Sequence, residues 1–145
     1  MFVENLKETL ALGEKLSHKL KPQSIVLLQG PIGARKTSFV QGIARGLSIS
    51  EDITSPTFAL SHHYNSGNIP LIHLDLYRLE NISSAKEVFF SEEEEALQSQ
   101  AILVIEWPEL IEPLIKSFWK VEISYAKHFG RHYEIRDSKN LLTFS

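Results

Sequence analysis

The chain has 145 residues, of which 43% are hydrophobic and 23% charged, the composition of an ordinary globular domain rather than of a disordered segment. A formal net charge of −3 excludes a global attraction to nucleic acid or to an anionic membrane, so any RNA contact has to be local or made through a partner. The absence of cysteine excludes disulfides, thiolate catalysis and cysteine-ligated metals.

The length predicts one domain, residues 1–145, large enough to bury a real core. The N-terminal MFVENLKETLALGEKL has two acids and a lysine in its first eight residues. It lacks the basic start and unbroken apolar run of a signal peptide. No stretch approaches the roughly 18 consecutive apolar residues of a membrane helix. The expectation is a soluble cytoplasmic domain with no membrane role.

Leu6, Leu10, Leu12, Leu16 and Leu20 fall mostly at helical spacing and predict an amphipathic helix over about 4–20, ended by Pro22. SIVLLQG then reads as a buried strand, Ile25 to Leu28, closed by Gly30. A second helix should start near Lys36 and bury Phe39, Val40, Ile43 and Leu47. Pro56 marks SISEDITSPT as a linker. FALSHHY and PLIHLDLY read as strands around an NSGN turn. Residues 81–98 suggest two short helices, because Ser84 with Glu87 and Ser91 with Glu94 have capping-box spacing. AILVIEW is the second buried strand, and WKVEISY and RHYEIRD alternate as a closing hairpin around AKHFG. Together these predict an α/β fold with a mixed, mostly parallel sheet and helices on both faces.

The stretch LLQGPIGARKTSFVQGI supplies strand, Gly30, Gly33, Lys36, Thr37 and helix in the order a phosphate-binding loop requires. In such a loop the backbone N–H groups and the helix N-terminus surround an anion. A lysine supplies charge for the β- and γ-phosphates, and the next hydroxyl binds Mg²⁺. Arg35 stands where the pattern has glycine. Such a site also needs a carboxylate at the end of a neighbouring strand. Asp75 ends PLIHLD and Glu106 ends AILVIE, and strand C-termini line the ligand crevice of an open parallel sheet. An acid closing a strand can equally cap a helix or pair with an arginine. The hydroxyls of Thr54, Ser55 and Thr57 around Pro56 suit a switch segment that senses phosphate and metal, or an ordinary connection.

GPIGARKTS, SPTF, HLDLYRL and IEWPE, in this order within about 80 residues, resemble the TsaE (YjeE) family. Its members are small P-loop ATPases of the machinery that installs threonylcarbamoyladenosine in tRNA. The resemblance implies a P-loop NTPase-like fold that binds and hydrolyses ATP with Mg²⁺. It implies TsaD-like and TsaB-like partners, with tRNA reached only through that complex. By the same resemblance Gly30, Gly33, Ala34, Arg35, Lys36, Thr37 and Ser38 form the phosphate loop, with Lys36 on the terminal phosphates. Thr37 ligates Mg²⁺, and Thr57 belongs to the first switch. Asp75 positions Mg²⁺ or the attacking water, Glu106 completes the metal environment, and Trp107 lies close by.

Arg35 departs from the family pattern, in which glycine precedes the lysine. If the backbone there has positive φ, strain of roughly 1–3 kcal/mol is expected. A guanidinium over the phosphates would recover part of it. The departure leaves open a second reading, a docking subunit impaired in nucleotide binding, and a third, a small P-loop kinase. Of the remaining polar residues, His73 shares a strand face with Asp75 and can equally help shape the site or be a buried histidine satisfied by hydrogen bonds. His62 and His63 point to opposite faces, and SEEEEAL reads as the solvated face of a helix.

Overall fold

The apolar runs of β2 (Ile25–Gln29) and β5 (Ile102–Glu106) lie side by side and in parallel at the centre of one sheet, with Leu28 beside Glu106. Both strands are buried on both faces, which is why they read as continuous hydrophobic runs rather than alternating ones. The computed structural model describes residues 1–56 and 60–139.

Around this centre the seven-stranded sheet has the order β1-β7-β6-β2-β5-β4-β3. β4 (Leu71–Asp75) flanks β5 in parallel, and β6 (Trp119–Tyr125) flanks β2 in parallel. Antiparallel pairings finish both sides: β3 (Ser61–Tyr64) on β4, β7 (Arg131–Asp137) on β6, and β1 (Phe2–Val3) on β7. The mixed sheet with a parallel centre agrees with the expected fold class. β1 has only two residues, too short to leave a periodic signal, and was not expected.

Helices cover both faces. Val26, Leu28, Ile102 and Val104 pack under α1 (Leu6–Ser17) and α2 (Lys36–Gly46), against Leu12, Leu16, Phe39 and Ile43. Leu27, Leu103 and Ile105 face the other way, onto Ala85, Phe89 and Ala96 of α3 (Ile82–Ser99). Each fully buried Phe, Leu or Ile here contributes about 1.5–3 kcal/mol. α1 and α2 touch through their backbones. A Cβ at Gly13 would run into the Phe39 carbonyl oxygen, and one at Gly42 into that of Leu10. The first turn of α2 is therefore held firmly, and that turn faces the site described below.

α1 is shorter than the expected 4–20. Asn5 caps it by accepting from the Glu8 N–H at 2.9 Å, and beyond Ser17 the chain closes in single turns. Residues 81–98 form one helix, not two. Asn81 takes the cap, accepting from the Ser84 N–H at 2.9 Å. No glycine or proline interrupts the run between Ala85 and Ala96, so Ser91 is simply carried within the helix. Among the described residues, no helix is long and apolar enough to cross a membrane.

Candidate functional site

β2, β5 and β4 end together, and their C-terminal ends open onto a cavity of about 380 Å³. Gly33, Ala34, Arg35, Lys36, Thr37 and Ser38 form one wall, and Asp75, Glu106 and Trp107 form the facing one. Ile32, Ser55, Pro56, Leu60, Tyr77 and Arg78 complete the lining. Gly30 sits just outside it, in an adjoining recess with Trp107 and Glu109. Thr57 lies outside the described residues.

The loop after β2 turns through Gly33 at φ +83° and Arg35 at φ +69°, and α2 begins at once with Lys36. The positive φ at Arg35 is the conformation in which glycine is unstrained and a residue with Cβ is not. The chain carries about 1–3 kcal/mol of local strain here. Arg35 stands at the N-cap of α2 without a capping side-chain hydrogen bond, so the first-turn amides are left facing the loop.

Lys36 is 6% exposed and folds back over its own loop. Its Nζ donates to the carbonyls of Gly30 at 2.6 Å and Pro31 at 3.0 Å, and lies 4.3 Å from the centre of the Trp107 ring. Burial pulls its pKa below the ordinary lysine value, while the charges of Glu106, Asp75 and Glu109 oppose that shift.

The acidic wall comes from strand register. Asp75 and Glu106 are direct partners across β4 and β5, so two like charges meet at the sheet edge. Burial raises the Asp75 pKa above the usual carboxylate value; the Tyr77 N–H, donating to Oδ1 at 2.9 Å, works against this, and Glu106 reinforces it. Glu106 is 3% exposed and accepts from His73 Nε2–H. With a carboxylate as its partner, Nε2 carries the hydrogen of this bond. Nδ1 is buried and has no hydrogen-bond partner among the described residues. His73 thus holds the carboxylate from behind.

Trp107, immediately after Glu106, has φ +58°. It precedes Pro108, a position normally pushed to extended backbone. This second strained residue turns the indole back over Lys36 and against Tyr77, with ring centres 4.8 Å apart. Leu60, which also lines the cavity, has φ +64°, so three non-glycine residues of positive φ meet at one cavity, the pattern of a functional site. The expected switch segment approaches as far as Ser55 and Pro56. It is anchored just before, where Ile53 O accepts from Gln41 at 3.2 Å and Thr54 N donates to Tyr64 at 3.3 Å.

Two side chains near the loop were not anticipated. Tyr125 donates its hydroxyl to Ile32 O at 2.8 Å, and Arg131 Nη2 donates to Gly33 O at 3.0 Å. They are register partners at the end of the β6–β7 hairpin. Only the parallel pairing of β6 with β2 carries them alongside the loop, so neither stands out in the sequence.

A group of three or more acidic, histidine or cysteine residues able to hold a metal alone is absent among the described residues. Any divalent cation here would take few protein ligands and complete its shell with other oxygens, as Mg²⁺ in phosphate sites does. Thr37, Asp75 and Glu106 offer the hard oxygen donors that such an ion takes.

Comparison with known proteins bears on the family and the fold. Residues 3–133 match the family described as "Threonylcarbamoyl adenosine biosynthesis protein TsaE". The "tRNA threonylcarbamoyladenosine biosynthesis protein TsaE" of Nostoc sp. is 40% identical over 137 residues, spanning 93% of this chain and 83% of that protein. The protein of the same description from Synechocystis sp. is 42% identical over 117 residues, 78% of this chain and 72% of that one. The crystal structure of YdiB from Bacillus subtilis superposes with a TM-score of 0.74 at 28% identity, covering 92% of this chain and 80% of that one. A match over nearly the whole domain, with a solved relative in the same fold, makes this chain a member of the TsaE family.

Proposed function

We propose that the cavity is an ATP site, and that the protein binds and hydrolyses Mg-ATP in support of threonylcarbamoyladenosine modification of tRNA. One observation carries the reading. A buried lysine, a helix-opening threonine and two carboxylates from adjacent parallel strands surround a single cavity at the sheet's C-terminal edge. Fold, order and spacing support reading it as a phosphate loop with metal-side acids, Arg35 being the one departure.

In this reading Lys36 exchanges its contacts with the loop carbonyls for the β- and γ-phosphate oxygens. Thr37, with Asp75 or Glu106, would hold Mg²⁺. The ion, when bound, neutralises charge on the phosphoryl oxygens. Asp75 keeps one oxygen on the Tyr77 N–H and uses the other to orient water. The water oxygen forms the new bond to the γ-phosphorus, the bond to the bridging oxygen breaks, the water gives up a proton to solvent and keeps the other on the released phosphate, and ADP and phosphate leave. Asp75 is only partly buried and is no strong base, so turnover is slow without partners. TsaD-like and TsaB-like proteins are the proposed partners, in the cytoplasm, with tRNA contacted through them.

The backbone at Arg35 favours a second reading. A side chain in the left-handed conformation, at the point where phosphate approaches most closely, suits a docking subunit with weakened nucleotide binding. Calorimetric titration of wild type and Arg35→Gly with Mg-ATP, with phosphate release measured with and without the partners, separates the two. Binding by wild type and partner-stimulated release support the ATPase. Absence of binding in wild type, restored by glycine, replaces it with the docking subunit. Relief of about 1–3 kcal/mol of strain, less the roughly 0.4–1 kcal/mol that glycine's extra unfolded-state freedom costs, should raise the melting temperature of Arg35→Gly by a few degrees.

A further inference from the structure

We propose that Tyr125 and Arg131 are positioning residues that orient the phosphate loop from outside the site, an inference that rests on reading the cavity as a nucleotide site. A trans peptide is planar, with its C=O and N–H pointing in opposite directions. A donor that captures the carbonyl of one residue therefore aims the N–H of the next. The Tyr125 hydroxyl holds Ile32 O at 2.8 Å, which turns the Gly33 N–H away from the hairpin, to the side where Gly33 lines the cavity. Arg131 Nη2 holds Gly33 O at 3.0 Å, and the Ala34 N–H correspondingly turns inward, onto Pro31 O at 3.1 Å. Pro31 O is also an acceptor for Lys36. The hairpin pair thus sets the two peptide planes that shape the loop around its lysine.

The two residues act as a unit. Arg131 lies over the Tyr125 ring at 5.3 Å, and they face each other in register where the hairpin opens. Gly33 leaves room for the hydroxyl, since a Cβ there would come within 2.8 Å of it. The loop has strained φ at Arg35 and an exposed apex at Ile32. The loop's internal ties are the Ala34 N–H on Pro31 O and the Lys36 ammonium on Gly30 O and Pro31 O; the hairpin pair adds contacts from outside, on Ile32 O and Gly33 O. Neither side chain lines the cavity, so neither is catalytic.

The test compares Tyr125→Phe, Arg131→Met and the double variant with wild type. Tyr125 is 53% exposed, so loss of its hydroxyl leaves folding intact. In nucleotide-free protein, backbone order parameters of Gly33 and Ala34 should fall from the rigid range near 0.85 to below about 0.6 in the double variant. The affinity for Mg-ATP should weaken about tenfold, equivalent to about 1.4 kcal/mol. Arg131→Lys, which keeps a donor, should restore part of both. Unchanged order parameters overturn the proposal whether or not ATP binds. Disordered amides with unchanged affinity overturn it as well. If wild type fails to bind ATP, the nucleotide reading of this chain fails separately, and Arg35→Gly then carries the affinity comparison. Absence of binding by both sinks the two together.

Discussion

One wall of the cavity, from Gly33 to Ser38, is a single stretch of chain, whereas the facing wall joins Asp75 and Glu106 from strands that meet only through the sheet. The first wall is cationic, bent through two residues of positive φ, and tied by hydrogen bonds to its own backbone carbonyls, from the Ala34 N–H and the Lys36 ammonium. The second is acidic, set by strand register, and supported from behind by His73. The difference teaches where each wall is vulnerable. A contiguous loop is tuned by local conformation, and a register-built pair is tuned by what lies beneath it.

The comparison is tested most sharply at Lys36. Lys36→Met removes the ammonium but keeps the stem, and the proposed site should lose affinity for Mg-ATP by at least about two orders of magnitude, the worth of two charge-assisted hydrogen bonds. Equilibrium dialysis measures it. Retention of wild-type affinity would remove the lysine from the phosphates and break the division of roles.

On the acidic wall the largest effect should appear in stability. His73→Leu leaves the buried Glu106 carboxylate without its donor, at a cost of about 2–3 kcal/mol, or roughly 6–12 °C in melting temperature. Adding Glu106→Leu should recover much of that loss, because removing both polar partners is far cheaper than orphaning one. A single variant that melts like wild type would show that the histidine does not support the wall.

The smallest effect is the pH dependence of Asp75. Its folded pKa lies above the ordinary value of 3.8, so the folded state binds this proton more tightly than the unfolded chain does. Ionisation of Asp75 therefore subtracts stability as pH rises from about the unfolded value through the folded one. Asp75→Asn should melt above wild type at pH 7, and the gap should close towards pH 4. Thermal scans across that range in metal-free buffer check the sign. A gap that widens on acidification would mean that Asp75 is stabilised, not strained, by its surroundings.

The same contrast explains how much was legible before the structure. The loop and its helix could be read from residues 25–47, because strand, glycines, lysine and amphipathic spacing follow one another in the chain. Asp75 and Glu106 were visible as strand-ending acids, but their direct pairing depends on the parallel register of β4 and β5. The fold class followed from buried runs and alternation, which report local environment well. The His73–Glu106 bond and the hairpin brace were not legible, since each joins residues far apart in sequence through strand order. The positive φ at Trp107 was equally hidden, because a residue before proline ordinarily signals extended backbone. The split of residues 81–98 into two helices failed for a simpler reason. Serine-to-glutamate spacing marks a helix start only where the preceding chain is not already helical.

The seat of Trp107 has a practical consequence. The chain contains two tryptophans. Trp119 lies beside Val26, near the start of β2 and away from the loop, while Trp107 has the Lys36 ammonium 4.3 Å from its ring. A positive charge held against an excited indole perturbs its emission. Any anion that draws the ammonium aside changes the brightness and colour of that one residue. The site therefore contains its own optical gauge, with Trp119 as the steady reference and no dye or label required.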